Sequence, residues 1–243
     1  MSKLYVVGIG PGSYEEMTIR AAKVLSSCQL IVGYTVYNDL VRPHFPDKEY
    51  YETPMTEEVE RCRYALNRAK EGMLTALICS GDAGIYGLAG LAYELRGAQS
   101  APEIEVVPGL TAAISGAALL GAPLTNDFAV ISLSDLLTPW DTIEKRLEAA
   151  SKGDFCVALY NPGSKKRKDH LKRACHIMLQ NKPPETVCGV VRNIGREGQQ
   201  LDIMTLGDLY DFQADMLTTV FIGNAHTVNL NHHMVTQRGY RDV

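Results

Sequence analysis

Asp82 is the carboxylate best placed to do chemistry. It stands in the small-residue run Ser80-Gly81-Asp82-Ala83-Gly84-Ile85-Tyr86-Gly87, directly after an apolar stretch at 74–79. An apolar run of that length bounded by glycine predicts a buried parallel strand, and open parallel sheets bind ligands outside the carboxyl ends of their strands. Glycine backbones approach a ligand closely, and the Asp82 carboxylate could hold a polar or cationic part of it. Gly-Asp is also ordinary turn chemistry, and the residues alone allow both readings. Thr111 is a second candidate, after the turn Val107-Pro108-Gly109-Leu110 and before a helix of small residues. Its hydroxyl is either an N-cap, worth about 1 kcal/mol, or a group facing a ligand shared with Asp82, the two motifs being expected to end neighbouring strands.

Several chemistries are excluded. The opening loop Gly8-Ile9-Gly10-Pro11-Gly12 has Ser13 where a dinucleotide fingerprint needs glycine or alanine, and Pro11 removes a donor from any pyrophosphate cradle. No G-x-x-x-x-G-K-[ST] occurs. The six cysteines are scattered, with no C-x-x-C pair and no histidine at zinc-like spacing, so free buried thiols and no metal site are expected. Cys79 ends the strand before the Asp82 loop and reads better as a small buried hydrophobe than as a nucleophile. A net charge of −4 argues against a general nucleic-acid binder.

These residues need a scaffold, and 243 residues at 46% hydrophobic composition suffice for one large or two smaller α/β domains. No apolar run is long enough to span a bilayer, and the N-terminus enters a strand pattern at once, so no membrane and a cytoplasmic location are expected. Strands are predicted at 4–8, 30–34, 74–79 and 104–107, with helices at 18–25, 56–70, 84–95 and 111–120 between and after them. Ser13 and Thr18 both have N-cap spacing. Beyond a pause at 121–124, strands are predicted at 128–133, 155–160, 186–191 and 219–223, with helices at 140–150 and 166–179. The pattern gives an α/β fold in two α/β domains, 1–120 and 121–243.

Taken in order, Val7 to Gly12, Gly81 to Gly87 and Pro108 to Ala112 resemble the V-G-x-G-P-G, G-D-x-x-x-Y/F-G and P-G-x-T-A motifs of the tetrapyrrole (corrin and porphyrin) methylases. The segment Asp127-Phe128-Ala129-Val130-Ile131-Ser132-Leu133-Ser134-Asp135-Leu136-Leu137-Thr138-Pro139-Trp140 is similar to that of the C-17 methyltransferases of cobalamin biosynthesis, which also contract the macrocycle. The ending Thr236-Gln237-Arg238-Gly239-Tyr240 looks like the R-G-Y terminus of such enzymes, with no further domain expected after it. Ala83 departs from the common G-D-P form, which implies a softer loop.

The resemblance implies two domains with the active site in the cleft between them, a homodimer, and S-adenosylmethionine as methyl donor with S-adenosylhomocysteine as product. Carried over residue by residue, the cofactor site is Pro11, Ser80, Gly81, Asp82, Ile85, Thr111, Ala112, Asn161, Val190 and Thr218. The opening glycine-rich loop, with Gly10 and Gly12, is associated with the tetrapyrrole. Methyl transfer needs little acid–base help, because collinear placement in a dry cleft supplies on the order of 7–11 kcal/mol. Ring contraction moves protons, and the candidates for that work are Ser132, Asp135 and Thr111, with Ser134 and His44 beside them. Each has a bland alternative: the serines as strand-end hydroxyls, His44 as part of a polar turn.

A polycarboxylate macrocycle calls for cations, and Arg42, Arg192 and Arg196 are the candidates, with Ser134 as a further substrate contact. The densest basic stretch, holding Lys165, Lys166, Arg167, Lys168, Lys172 and Arg173, reads as a solvated helix face or as a steering patch. Methylation at another ring position and a non-catalytic tetrapyrrole-binding protein are the alternatives. The sequence leaves open whether cobalt is already in the ring, with the cobalt form favoured by the ending and by the lack of an oxygen-chemistry cofactor motif.

Overall fold

The apolar runs at 30–34 and 74–79 form strands buried on both faces, as a parallel sheet covered by helices requires. The computed structural model describes residues 2–164 and 167–240, in two compact units, Met1–Ala112 and Ala113–Val243. Lys165 and Lys166 lie outside the described residues.

The first unit comprises β1 (Lys3–Gly8), α1 (Ile19–Ser27), β2 (Leu30–Tyr34), α2 (Thr35–Val41), β3 (Glu49–Thr53), α3 (Glu58–Lys70), β4 (Thr75–Cys79), α4 (Ala89–Arg96) and β5 (Glu103–Val107). Its five strands are all parallel, in the order β3-β2-β4-β1-β5. Side chains alternate between the faces. Leu4, Val6, Val32 and Leu77 pack with α3 and α4, while Val7, Ile31 and Ile78 pack with α1 and α2. Leu77 is fully buried, so Leu77→Ala would cost about 2–5 kcal/mol. Thr18 caps α1 by accepting from the Ala21 N–H at 3.0 Å, and Ser13 accepts from Glu16 N–H in the short 3₁₀ turn before it.

Two helices of this unit start later than the sequence pattern suggests, and in the second unit the helix expected at 166–179 starts only at His170. Thr56 takes a left-handed φ of +77°, so α3 begins at Glu58. Residues 83–88 are drawn into a turn by Asp82, so α4 begins at Ala89 and not at Gly84.

The second unit contains α5 (Ala112–Leu120), which begins at the division, then β6 (Gly121–Ala122), β7 (Phe128–Ser132), α6 (Trp140–Lys152), β8 (Cys156–Tyr160), α7 (His170–Met178), β9 (Val187–Arg192), β10 (Gln200–Thr205), α8 (Leu206–Leu209), β11 (Thr218–Ile222), β12 (Thr227–Leu230) and β13 (His233–Thr236). The main sheet has the order β10-β9-β11-β8-β7, with β7 parallel to β8 and the remaining pairs antiparallel. A three-stranded sheet, β12-β13-β6, stands beside it in the sequence-distant ends of this unit. The sequence reading ends the first half at Leu120, whereas the structure groups α5 with the second unit. A Cβ on Gly116 would lie 2.9 Å from the Phe221 ring, and Leu120 presses on Gly189, so α5 is packed onto β9 and β11. No helix among the described residues is long and apolar enough to cross a membrane, and no cluster of three His, Cys, Asp or Glu there could hold a metal ion.

Candidate active site

In the first unit, the loops after β4 and β5 do not follow neighbouring strands, because β1 lies between them. They meet all the same, since β1 ends in Gly8. A Cβ there would lie 2.7 Å from both the Gly109 nitrogen and the Gly81 carbonyl oxygen, and one on Gly109 would collide with that same oxygen. Gly10 and Gly81, with φ of +79° and +69°, exchange two backbone hydrogen bonds of 3.1 and 2.7 Å. Three loops are thereby closed into one edge by bare backbone.

Asp82 locks this edge. Its Oδ1 accepts from the Gly84 and Ile85 N–H groups at 2.8 and 3.1 Å, and its Oδ2 accepts from the Gly109 N–H at 2.9 Å. Both readings of Gly-Asp meet here: the carboxylate makes the turn, and the turn presents Gly84, Ile85 and Tyr86 to solvent. Asp82 therefore shapes the edge through amides and is neither a free base nor a bare counter-charge. Cys79 accepts from the Leu88 N–H, and burial pushes its thiol up to about 11, which excludes a thiolate nucleophile near neutral pH. Pro11 and Thr111 are buried at this edge, with Thr111 6% exposed and its Cα next to Gly81.

In the second unit, β7, β8 and β9 run in one direction and β11 runs against them, so Ser132, Asn161, Arg192 and Thr218 reach one edge of the sheet. Asn161 and Asn193 both take φ of +54°, a conformation asparagine tolerates better than most side chains, and turn the chain sharply after β8 and β9. The Ser132 hydroxyl accepts from Asn161 Nδ2 at 2.9 Å and from the Ser134 N–H at 3.2 Å. Thr218 donates to Asp215 Oδ1 at 2.7 Å, and Arg192 pairs with Asp215 Oδ2 at 3.2 Å. The Tyr160 hydroxyl accepts from the Ala113 N–H at 2.7 Å, tying the start of α5 to the end of β8.

Val190 lies two residues before Arg192 on β9. It sits in mid-strand between Asp202 and Val220 with its side chain in the core. Arg196 follows the Asn193 turn, its N–H donating to the Asn193 carbonyl at 2.9 Å. Arg42 is engaged within the first unit, 3.2 Å from Glu52 and stacked on Tyr50 at 4.2 Å, and His44 stacks on Tyr14 at 4.3 Å. Two cations of the basic stretch are engaged too: Lys172 pairs with Asp211 at 3.0 Å, and Arg173 lies 3.9 Å over Trp140.

Sequence reasoning misses His170, which opens α7 and is buried beneath the 133–140 loop. Its Nδ1 lies 2.8 Å from the Leu133 carbonyl, its Nε2 lies 3.6 Å from Asp135, and its ring lies 4.8 Å from Trp140. The signal was present: His170, Ala174 and Ile177 share the apolar face of the helix, but flanking cations dominate the local composition.

The first unit's edge is apolar and small, with backbone amides and carbonyls where side chains would otherwise intrude, and its carboxylate Asp82 already accepts from three amides. Such a surface fits a nucleoside with a sulfonium group that must stay desolvated. The profile of the Tetrapyrrole (Corrin/Porphyrin) Methylases matches residues 3–210. A protein named "Probable cobalt-factor III C(17)-methyltransferase", from Salmonella typhimurium, is 47% identical over 239 residues, 98% of this chain and 99% of that one. A "Cobalt-factor III methyltransferase" from Priestia megaterium is 43% identical over 98% of this chain, which spans 45% of that longer protein. The crystal structure of the methyltransferase CobJ matches with a TM-score of 0.90 at 33% identity, covering 96% of this chain and 99% of that one. With its three glycine motifs closed into one edge and its sequence matched over most of its length, the chain belongs to the tetrapyrrole (corrin/porphyrin) methylases.

Proposed function

We propose that this methylase transfers a methyl group from S-adenosylmethionine to C-17 of a corrinoid precursor and contracts the ring, converting cobalt-factor III to cobalt-precorrin-4 in cobalamin biosynthesis. The observation that carries the reading is 47% identity, over nearly the full length of both chains, to a relative named for that reaction. A cytoplasmic homodimer and a macrocycle already holding cobalt belong to the same proposal.

When bound, S-adenosylmethionine supplies the electrophilic methyl group. Pro11, Ser80, Gly81, Asp82, Ile85, Thr111 and Ala112 bind it in the first unit. Gly81 and Gly84 admit it by lacking side chains, Ile85 supplies an apolar wall, and Asp82 keeps the loop in register. Positioning is the main device for methyl transfer, worth on the order of 7–11 kcal/mol.

Ring contraction needs a proton at a defined place. The Ser132 oxygen already accepts two hydrogen bonds, so its own proton is what it can offer the substrate. Asp135, with 40% of its side chain exposed, is the carboxyl group that can meet the macrocycle. Arg192 and Arg196 are the cations assigned to substrate carboxylates, and Gly10 and Gly12 line the macrocycle's side of the opening loop.

The test is incubation with methyl-¹³C-labelled S-adenosylmethionine and either cobalt-factor III or metal-free precorrin-3B. The expected product carries the label at C-17 of a contracted ring, from cobalt-factor III. Label at another ring carbon, or none on either macrocycle, would overturn the reading.

A further inference from the structure

The 133–140 loop is built around a side chain that no motif singles out. We propose that His170 is the positioning residue for Asp135, holding its carboxyl group and a proton between them toward the macrocycle. The inference rests on the proposed function, since the macrocycle is what Asp135 would meet.

His170 is 8% exposed, too deeply placed to touch a large substrate, whereas 40% of the Asp135 side chain is open. A carbonyl oxygen only accepts, so the 2.8 Å contact with Leu133 requires that Nδ1 carry hydrogen. Nε2 then points at Asp135 Oδ2 from 3.6 Å, beyond a hydrogen bond and within ion-pair distance. Two bare acceptors would repel at that spacing. A proton on either partner, Nε2 or the carboxyl group, would turn this spacing into an attraction, and the pair offers a place to hold one. The distance can shorten when substrate presses on the loop, as catalytic hydrogen bonds often do on binding.

The ring itself is held from its other sides. Trp140 packs on it at 4.8 Å and 52°, and Arg173 covers Trp140 at 3.9 Å. The charged groups near His170 include Asp135 from the loop, Asp169 at the N-cap of α7 and Arg173 one turn on in the same helix. Of these, only Asp135 makes an ion-pair contact with the ring among the described residues. The Leu133 bond would anchor the loop without any help from Nε2. It is the nitrogen facing Asp135 that a purely structural role leaves unexplained.

Two substitutions separate the two nitrogens. Asn at 170 keeps a donor near the Nδ1 position for Leu133, while Gln reaches the Nε2 position and can still face Asp135. With cobalt-factor III, kcat should fall at least on the order of tenfold in His170→Asn with KM little changed, and His170→Gln should lose less. Adding His170→Asn to Asp135→Asn should bring no further loss, because one acts through the other. Normal kcat in His170→Asn, a loss confined to KM, or losses that multiply in the double variant would overturn the proposal. A second arm needs no turnover: ¹⁵N-histidine spectra of the ligand-free protein, taken where the ring is neutral, should show the Nδ1–H tautomer, with Asp135→Asn moving the Nε2 resonance. The opposite tautomer, or indifference to Asp135→Asn, would overturn it. Should wild type leave cobalt-factor III unchanged, the proposed function fails while the spectra still decide the role of His170.

Discussion

The two units build their candidate site edges in different ways. In the first, Gly8, Gly81 and Gly109 lie backbone against backbone, and one carboxylate, Asp82, ties three amides together. In the second, the edge is made of side chains that hold one another: Ser132 with Asn161, Asp135 with His170, Arg192 and Thr218 with Asp215. The difference follows from topology. A parallel sheet with β1 between β4 and β5 can close its loops only if the strand between them ends without a side chain, whereas the mixed sheet brings polar side chains to one edge with room to spare. The first edge should therefore be sensitive to added volume and the second to lost polarity.

The largest effect is expected from Gly109→Ala. Its methyl group meets the Gly81 carbonyl, which is itself fixed by Gly10, so urea unfolding should show a loss of about 3 kcal/mol. Calorimetry should show S-adenosylhomocysteine affinity reduced on the order of tenfold. Gly90→Ala is the contrast: nothing lies within 4 Å of the added carbon and the site is helical, so stability should rise by about 0.4–1 kcal/mol. Equal behaviour of the two variants would break the comparison. Asp82→Ala comes next, at about 1.5–3 kcal/mol, because it strands amides that a charged acceptor had satisfied. Ser132→Ala, on the other edge, should cost only about 1 kcal/mol in stability while lowering ring contraction more than cofactor binding. The reverse ranking would show that both edges are built alike.

The smallest effect at neutral pH concerns the thiols, which both units bury. Desolvation pushes Cys28, Cys62 and Cys175 up to about 12 and Cys79 up to about 11, against an ordinary 9.0. Above pH 9 the unfolded chain ionises these thiols while the folded chain does not. The unfolded state then binds fewer protons, and stability falls as pH rises from about 9 toward 12, with no contribution to pH dependence below. Denaturation curves across that range check the sign, and native protein at pH 8 should resist thiol reagents.

Much of the first unit was legible because its signals are local. Apolar runs ending in glycine mark β1 and β4, and caps at Ser13 and Thr18 mark the helix entries. The edge strands β3 and β10 were not, since each exposes part of its length and reads as polar chain. Asp82 was recognised as important for its place after β4, but its job depended on Gly109, 27 residues away and across β1. His170 was hidden for the opposite reason: its helical periodicity is clear, yet its partners Leu133 and Asp135 are distant in sequence.

The central claim, that the glycine-closed edge of the first unit receives the methyl donor, is tested most directly by a crystal structure with S-adenosylhomocysteine bound. The account predicts the nucleoside against residues 81–85 and the Thr111–Ala112 backbone. A ligand lying elsewhere, with that edge untouched, would contradict it.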